Sequence, residues 1–138
     1  MHCKANNMED QLHNRYPSKQ MRALVVIQGS YYMVTALWPL IHIESYMALV
    51  GPITDIWLAK TVATMVIAIA ITMFYHLSLR TDHRPLVLLG MSSSLAFVYT
   101  DMYYTTKGTL SYIYLLDAAA EFLFLVVWSI LAFKQRRE

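Results

Sequence analysis

"YIYLLDAAAEFLFLVVWSILAF" occupies Tyr112 to Phe133 and is apolar nearly throughout, yet it carries two carboxylates, Asp117 and Glu121, four residues apart. At about 1.5 Å of rise per residue a helix of this length crosses the roughly 30 Å hydrocarbon layer of a bilayer. Three more runs have the same character: Ala23 to Ile43, Trp57 to Leu77 and Leu86 to Tyr104. With 57% hydrophobic and 14% charged residues in 138, the chain matches a membrane protein and not a water-soluble domain. The expected fold is all-α, an integral membrane four-helix bundle over residues 23–133, with no room for a second domain.

The segments outside the spans set the expected orientation. Residues 1–22 form a polar tail without the apolar core of a signal peptide, and residues 134–138 form a basic C-terminus. Lys4, Arg15, Lys19, Arg22, Arg80, Arg84, Lys134, Arg136 and Arg137 fall on one side of the predicted spans, against Lys60 and Lys107 on the other. The excess of positive charge on cytoplasmic loops then predicts both termini in the cytoplasm and a multi-pass protein of the inner (plasma) membrane. The net charge of +2 comes from these orientation signals, so no nucleic-acid partner is expected. Cys3 is the only cysteine, which excludes an intrachain disulfide and leaves an exposed thiol in the tail.

Between spans, Pro85 suits a first helical turn with Asp82 as its cap, Gly108 suits a turn with Ser111 as the next cap, and Thr54 or Asp55 can cap the second span. The first outer loop, "ESYMALVGPITD" (Glu44 to Asp55), is apolar for a loop; such a segment lies in the interface or folds over the bundle mouth. Trp38, Tyr46, Trp57, Tyr99, Tyr103, Tyr104, Tyr112 and Tyr114 gather near the outer ends, as an aromatic belt would.

Each span carries one polar or small stripe at helical spacing: Gln28, Tyr31, Thr35, Trp38 and His42; Thr61, Thr64, Ala68, Thr72 and Tyr75; Gly90, Ser94, Phe97 and Asp101; Asp117, Glu121, Phe124 and Trp128. Because lipid offers no hydrogen bonds, all four stripes are expected to face inward. The ionisable groups stand out, since each costs roughly 2.5 to 3.5 kcal/mol at mid-membrane on insertion scales. Asp117 and Glu121 lie about 8 and 13 Å below Tyr112, and Asp101 about 5 Å below Tyr104, all in the outer half. The candidate ligand-binding residues are therefore Glu121, Asp117, Asp101, Lys60, His42 and Glu44. Lys60 is expected to reach Asp117 or Asp101, which leaves Glu121 the deepest and least paired acid. "HIE" and "DAAAE" lack a strict metal-ligand spacing, so no metal and no cofactor is assigned. Ser92 to Ser94 have no evident base, so no catalytic residue is assigned either.

At Leu37 to Val62, "LWPLIHIESYMALVGPITDIWLAKTV", and Gly108 to Glu121, "GTLSYIYLLDAAAE", the chain resembles a group of small bacterial four-span membrane proteins. They share a WPLxH segment, a GPxTDxWLx(K/R) turn and a YxLDAxxE segment. The match includes His42, Gly51, Pro52, Thr54, Asp55, Trp57, Lys60, Asp117 and Glu121, and the likeness covers most of residues 36–128. It implies a bacterial four-span protein and no particular reaction; DoxX-like proteins are similar in architecture alone. The expected function is an acid-rich polar pocket in the outer half of the bundle for a small polar, cationic or lipidic ligand. The alternatives are a small proton-coupled transporter, a membrane enzyme on a lipid-soluble substrate, and an accessory or scaffold subunit held by structural ion pairs. Expected partners are the lipid bilayer, such a ligand or cation, and further copies of the chain or a larger membrane complex.

Overall fold

Ser18 opens the first helix by accepting the Met21 amide at 3.2 Å, so α1 (Lys19–Ile41) starts one turn before the apolar run does. The computed structural model describes residues 18–79 and 83–135; Cys3, most of the basic tail, the Asp82 cap, Arg80, Arg136 and Arg137 lie outside the described residues. Pro39 sits in the last turn of α1 and cannot donate to the chain behind it, and the helix ends two residues later. His42 turns extended at φ −143° and ψ 80°, and its Nδ1 accepts the Ser45 amide at 3.2 Å. One residue thus closes α1 and caps α2 (Ile43–Val50), a short helix built from the apolar loop. α2 stops at Gly51, and the chain passes through Pro52 to α3 (Ile56–Ser78), where Asp55 is the N-cap residue without a side-chain capping bond.

Pro85 lies in the first turn of α4 (Arg84–Thr106), as the sequence predicts. At its far end Gly108 takes φ +73°, a conformation that a Cβ would strain, while Gly108 N–H bonds the Thr105 carbonyl at 3.0 Å and Thr109 N–H bonds that of Tyr104 at 2.9 Å. α5 (Tyr114–Gln135) begins two residues after the expected start. Tyr112 and Ile113 form a tight turn instead, with Tyr114 N–H on the Ser111 carbonyl at 3.1 Å.

α1, α3, α4 and α5 are long and apolar enough to cross a membrane. The surface supports that reading, because Val34, Ile41, Leu88 and Leu116 are exposed while Gln28, Ser94 and Glu121 are buried. A soluble protein shows the reverse. The chain is a multi-pass membrane protein. With four crossings, the start of α1, the α3–α4 connection and the end of α5 share one face, the basic end; α2 covers the other, the capped end.

The spanning helices associate as two close pairs, α1 with α3 and α4 with α5, joined across a looser seam. Within the first pair Gly29 lies against the Phe74 ring. In the second, Gly90 lies under the indole of Trp128, so close that a Cβ there would stand 2.4 Å from Trp128 Cε2. Each glycine makes room for an aromatic ring of the neighbouring helix, one of the ways small residues let membrane helices pair closely.

One expected stripe faces the wrong way. α3 buries Ala63, Val66, Ala70 and Met73, while Thr61, Thr64, Ala68, Thr72 and Tyr75 point outward, Tyr75 being 65% exposed. The threonines need no partner helix because each satisfies itself: Thr61, Thr64 and Thr72 donate to the carbonyls four residues back at 2.8, 2.9 and 2.8 Å. The stripe of α1 is also displaced after Gln28. Tyr32, Ala36 and Pro39 are buried, whereas Trp38 and His42 are exposed.

Candidate functional site

The seam between the pairs is polar, and its hydrogen bonds have a direction. Trp128 donates its indole N–H to Gln28 Oε1 at 2.6 Å. Since an indole nitrogen can only donate, this contact fixes the orientation of the Gln28 amide. Gln28 Nε2 then donates to the Tyr32 hydroxyl at 2.9 Å and to Ser94 Oγ at 2.8 Å. The Tyr32 hydroxyl has a single proton, and Glu121 Oε2 at 3.0 Å is nearer to it than Ser93 Oγ at 3.2 Å. Ser94 is hydrogen-bonded to Glu121 as well. Every step runs toward Glu121, the final acceptor of a network drawn from α1, α4 and α5.

Glu121 is 1% exposed, and Gln28 and Ser94 are fully buried beside it. Glu121 is therefore not the acid without a partner: two hydroxyls serve it, and the expected deficit falls elsewhere.

It falls one turn nearer the capped end. Asp117 Oδ1 accepts the hydroxyl of Tyr31, whose ring leans on Phe124 at 5.7 Å. Asp101 of α4 lies beside Asp117 and is hydrogen-bonded to it, which two carboxyls manage only by sharing a proton, and the charges acting on it are those of Asp117 and Glu121, all of one sign. Asp101 is 4% exposed, yet its Oδ2 has no hydrogen-bond partner. Thr105, one turn further along the same helix and 6% exposed, has an unpartnered Oγ1. Above them the Tyr46 hydroxyl of α2 meets the Tyr114 hydroxyl of α5 at 3.1 Å. Trp38 steadies this roof by donating to Ser45 Oγ at 2.8 Å and packing edge-on against Tyr46. The apolar loop thus reaches across to α5 through the Tyr46–Tyr114 contact while half of α2 stays exposed.

The structure brings together Asp101, Asp117 and Glu121, and sets Lys60, His42 and Glu44 apart from them. Among the described residues no ion pair links Lys60 to a carboxylate; it stands on α3, whose close partner is α1. Lys107 lies over the Tyr103 ring at 5.8 Å, while His42 and Glu44 are exposed at the start of α2. Among the described residues no group of three His, Cys, Asp or Glu side chains is placed to hold a metal ion. The arrangement offers acceptors and negative charge at a buried position, which is chemistry for holding a positively charged donor.

Sequence reasoning missed Tyr32 and Thr105. The spacing of Val25, Gln28, Tyr32, Ala36 and Pro39 marks the buried face as well as the stripe through Tyr31 does, and Thr105 stands four residues beyond Asp101. The chain matches no known family model, no curated protein and no solved structure.

Proposed function

We propose that the chain is a four-span protein of a bacterial plasma membrane whose acidic seam binds a small organic cation near the capped end, with Asp101 and Asp117 as the acidic contacts. The observation that carries the reading is a trio of seam acids reached by no basic side chain among the described residues. Carboxyls buried together in an apolar setting carry negative charge only at a cost, and a bound cation offsets that cost. Glu121 has another part in this reading. Its hydroxyl donors tie the two helix pairs together, so it holds the walls of the site in register.

Membrane and orientation are part of the same proposal. Lys19, Arg22, Arg84 and Lys134 gather at the basic end, which supports a cytoplasmic placement for it and an outward-facing capped end. The likeness of Leu37 to Val62 and Gly108 to Glu121 to small bacterial four-span proteins supports the bacterial membrane. Reporter fusions at the two chain ends should both report cytoplasm.

Binding is tested with purified protein in lipid nanodiscs, titrated with n-butylammonium, tetramethylammonium and, as the neutral control, n-butanol. A cation at 100 times its Kd should stabilise the fold by about 2.7 kcal/mol, and the alcohol should not. The double variant Asp101→Asn/Asp117→Asn should lose that stabilisation while its unliganded unfolding stays cooperative. If neither cation shifts the unfolding of the native protein, the proposal fails.

A further inference from the structure

The acidic seam says that a cation is favoured; the unpartnered atoms say which kind. The described helical threonines share a habit: Thr35, Thr61, Thr64, Thr72, Thr100 and Thr106 each donate to a carbonyl three or four residues back in their own helix. Thr105 does not, although the same bond would cost it only a rotation about χ1. Its hydroxyl is buried and unspent, one helical turn from an equally buried carboxyl oxygen, Asp101 Oδ2, that also has no partner. Buried polar atoms are nearly always satisfied, so two orphans a turn apart beside a second acid describe a place for a donor the protein does not itself supply.

We infer that this position, bounded by Asp101, Thr105 and Asp117, takes a primary ammonium group. The inference rests on the cation-binding reading above and narrows it to one class. A primary ammonium carries three N–H donors and one positive charge. Asp101 Oδ2 and Thr105 Oγ1 accept two of the donors, and the hydrogen-bonded Asp101–Asp117 pair, whose Asp117 Oδ1 also holds Tyr31, faces the third with its negative charge. A quaternary ammonium satisfies the charge and none of the orphan acceptors.

The same nanodisc titration separates the two levels. n-Butylammonium should bind at least tenfold more tightly than tetramethylammonium. Thr105→Val should weaken n-butylammonium about tenfold, the usual effect of losing one hydrogen bond to a charged group, and leave tetramethylammonium unchanged. Thr105→Ser keeps the hydroxyl and should restore n-butylammonium binding, which shows that any loss in the valine variant is not misfolding. Equal binding of the two cations, or a valine variant that binds n-butylammonium as the native protein does, overturns the inference while the cation reading stands. Failure of both cations removes the cation reading itself. A high-resolution structure grown with n-butylammonium that shows only a water bridging Asp101 and Thr105 also overturns the inference.

Discussion

Gly90→Ala should damage this protein well out of proportion to one methyl group. The new Cβ would lie 2.4 to 2.6 Å from the Trp128 ring, and that ring is fully buried with its N–H committed to Gln28 at 2.6 Å. Either the indole tilts and gives up that bond, or α4 and α5 part. Overpacking of a filled site costs about 1–3 kcal/mol and a lost hydrogen bond about 1 kcal/mol, while replacing a mid-helix glycine by alanine returns about 1 kcal/mol. The net loss is then about 1–3 kcal/mol. Unfolding by sodium dodecyl sulfate in mixed micelles measures it. A Trp38→Phe/Trp57→Phe background leaves Trp128 as the sole indole, so the emission also reports whether the ring has become wet. Trp128→Phe should cost less in the Gly90→Ala protein than in the parent, because the two changes relieve one contact. A Gly90→Ala protein as stable as its parent, with unshifted emission, would refute the close pairing of α4 and α5.

Further outcomes follow from the seam and its surroundings. Tyr32→Phe removes a donor from Glu121 and an acceptor from Gln28, and should destabilise by about 1–3 kcal/mol in the same unfolding assay; Glu121→Gln, which keeps an acceptor oxygen, should cost less. Ser94→Ala should cost a similar 1–3 kcal/mol, approximately, whereas Thr72→Val on the outward face should stay within about 0.5 kcal/mol of the parent. Tyr46→Phe and Tyr114→Phe should each speed hydrogen exchange across Ile43–Val50 with little change in global unfolding, because the hydroxyl pair fastens α2 and not the bundle.

The number of spans and their approximate limits could be read from apolar run length because bilayer thickness fixes that length for any sequence. The polar faces of α4 and α5 were legible for a related reason: Asp101, Asp117 and Glu121 have no way to satisfy a carboxyl within their own helix, so they must face protein. Hydroxyls are different. Thr61, Thr64 and Thr72 close bonds on their own backbone, and nothing in spacing alone distinguishes a threonine that does so from one that faces the core. Helix phase on α1 was ambiguous between Tyr31 and Tyr32, which lie about 100° apart, and both proved useful: one serves Asp117, the other Glu121. The acids' partners were not legible, because they come from helices distant in sequence and are uncharged. An inventory of opposite charges gives Lys60 to Asp117 or Asp101 and leaves Glu121 without a partner, while the structure gives Asp117 a tyrosine hydroxyl and Glu121 tyrosine and serine hydroxyls.

The fixed orientation of the Gln28 amide has a consequence for proton movement. A chain of hydrogen bonds passes a proton along only if each group can hand one on and then turn to receive another. Trp128 can donate and can never accept, so the chain Trp128, Gln28, Tyr32, Glu121 cannot reverse at its basic end. A proton that reaches Glu121 from the capped end therefore has no onward route through Gln28 and Trp128. Along this one chain the indole is a dead end for a proton, and coupled exchange across the membrane would need another route.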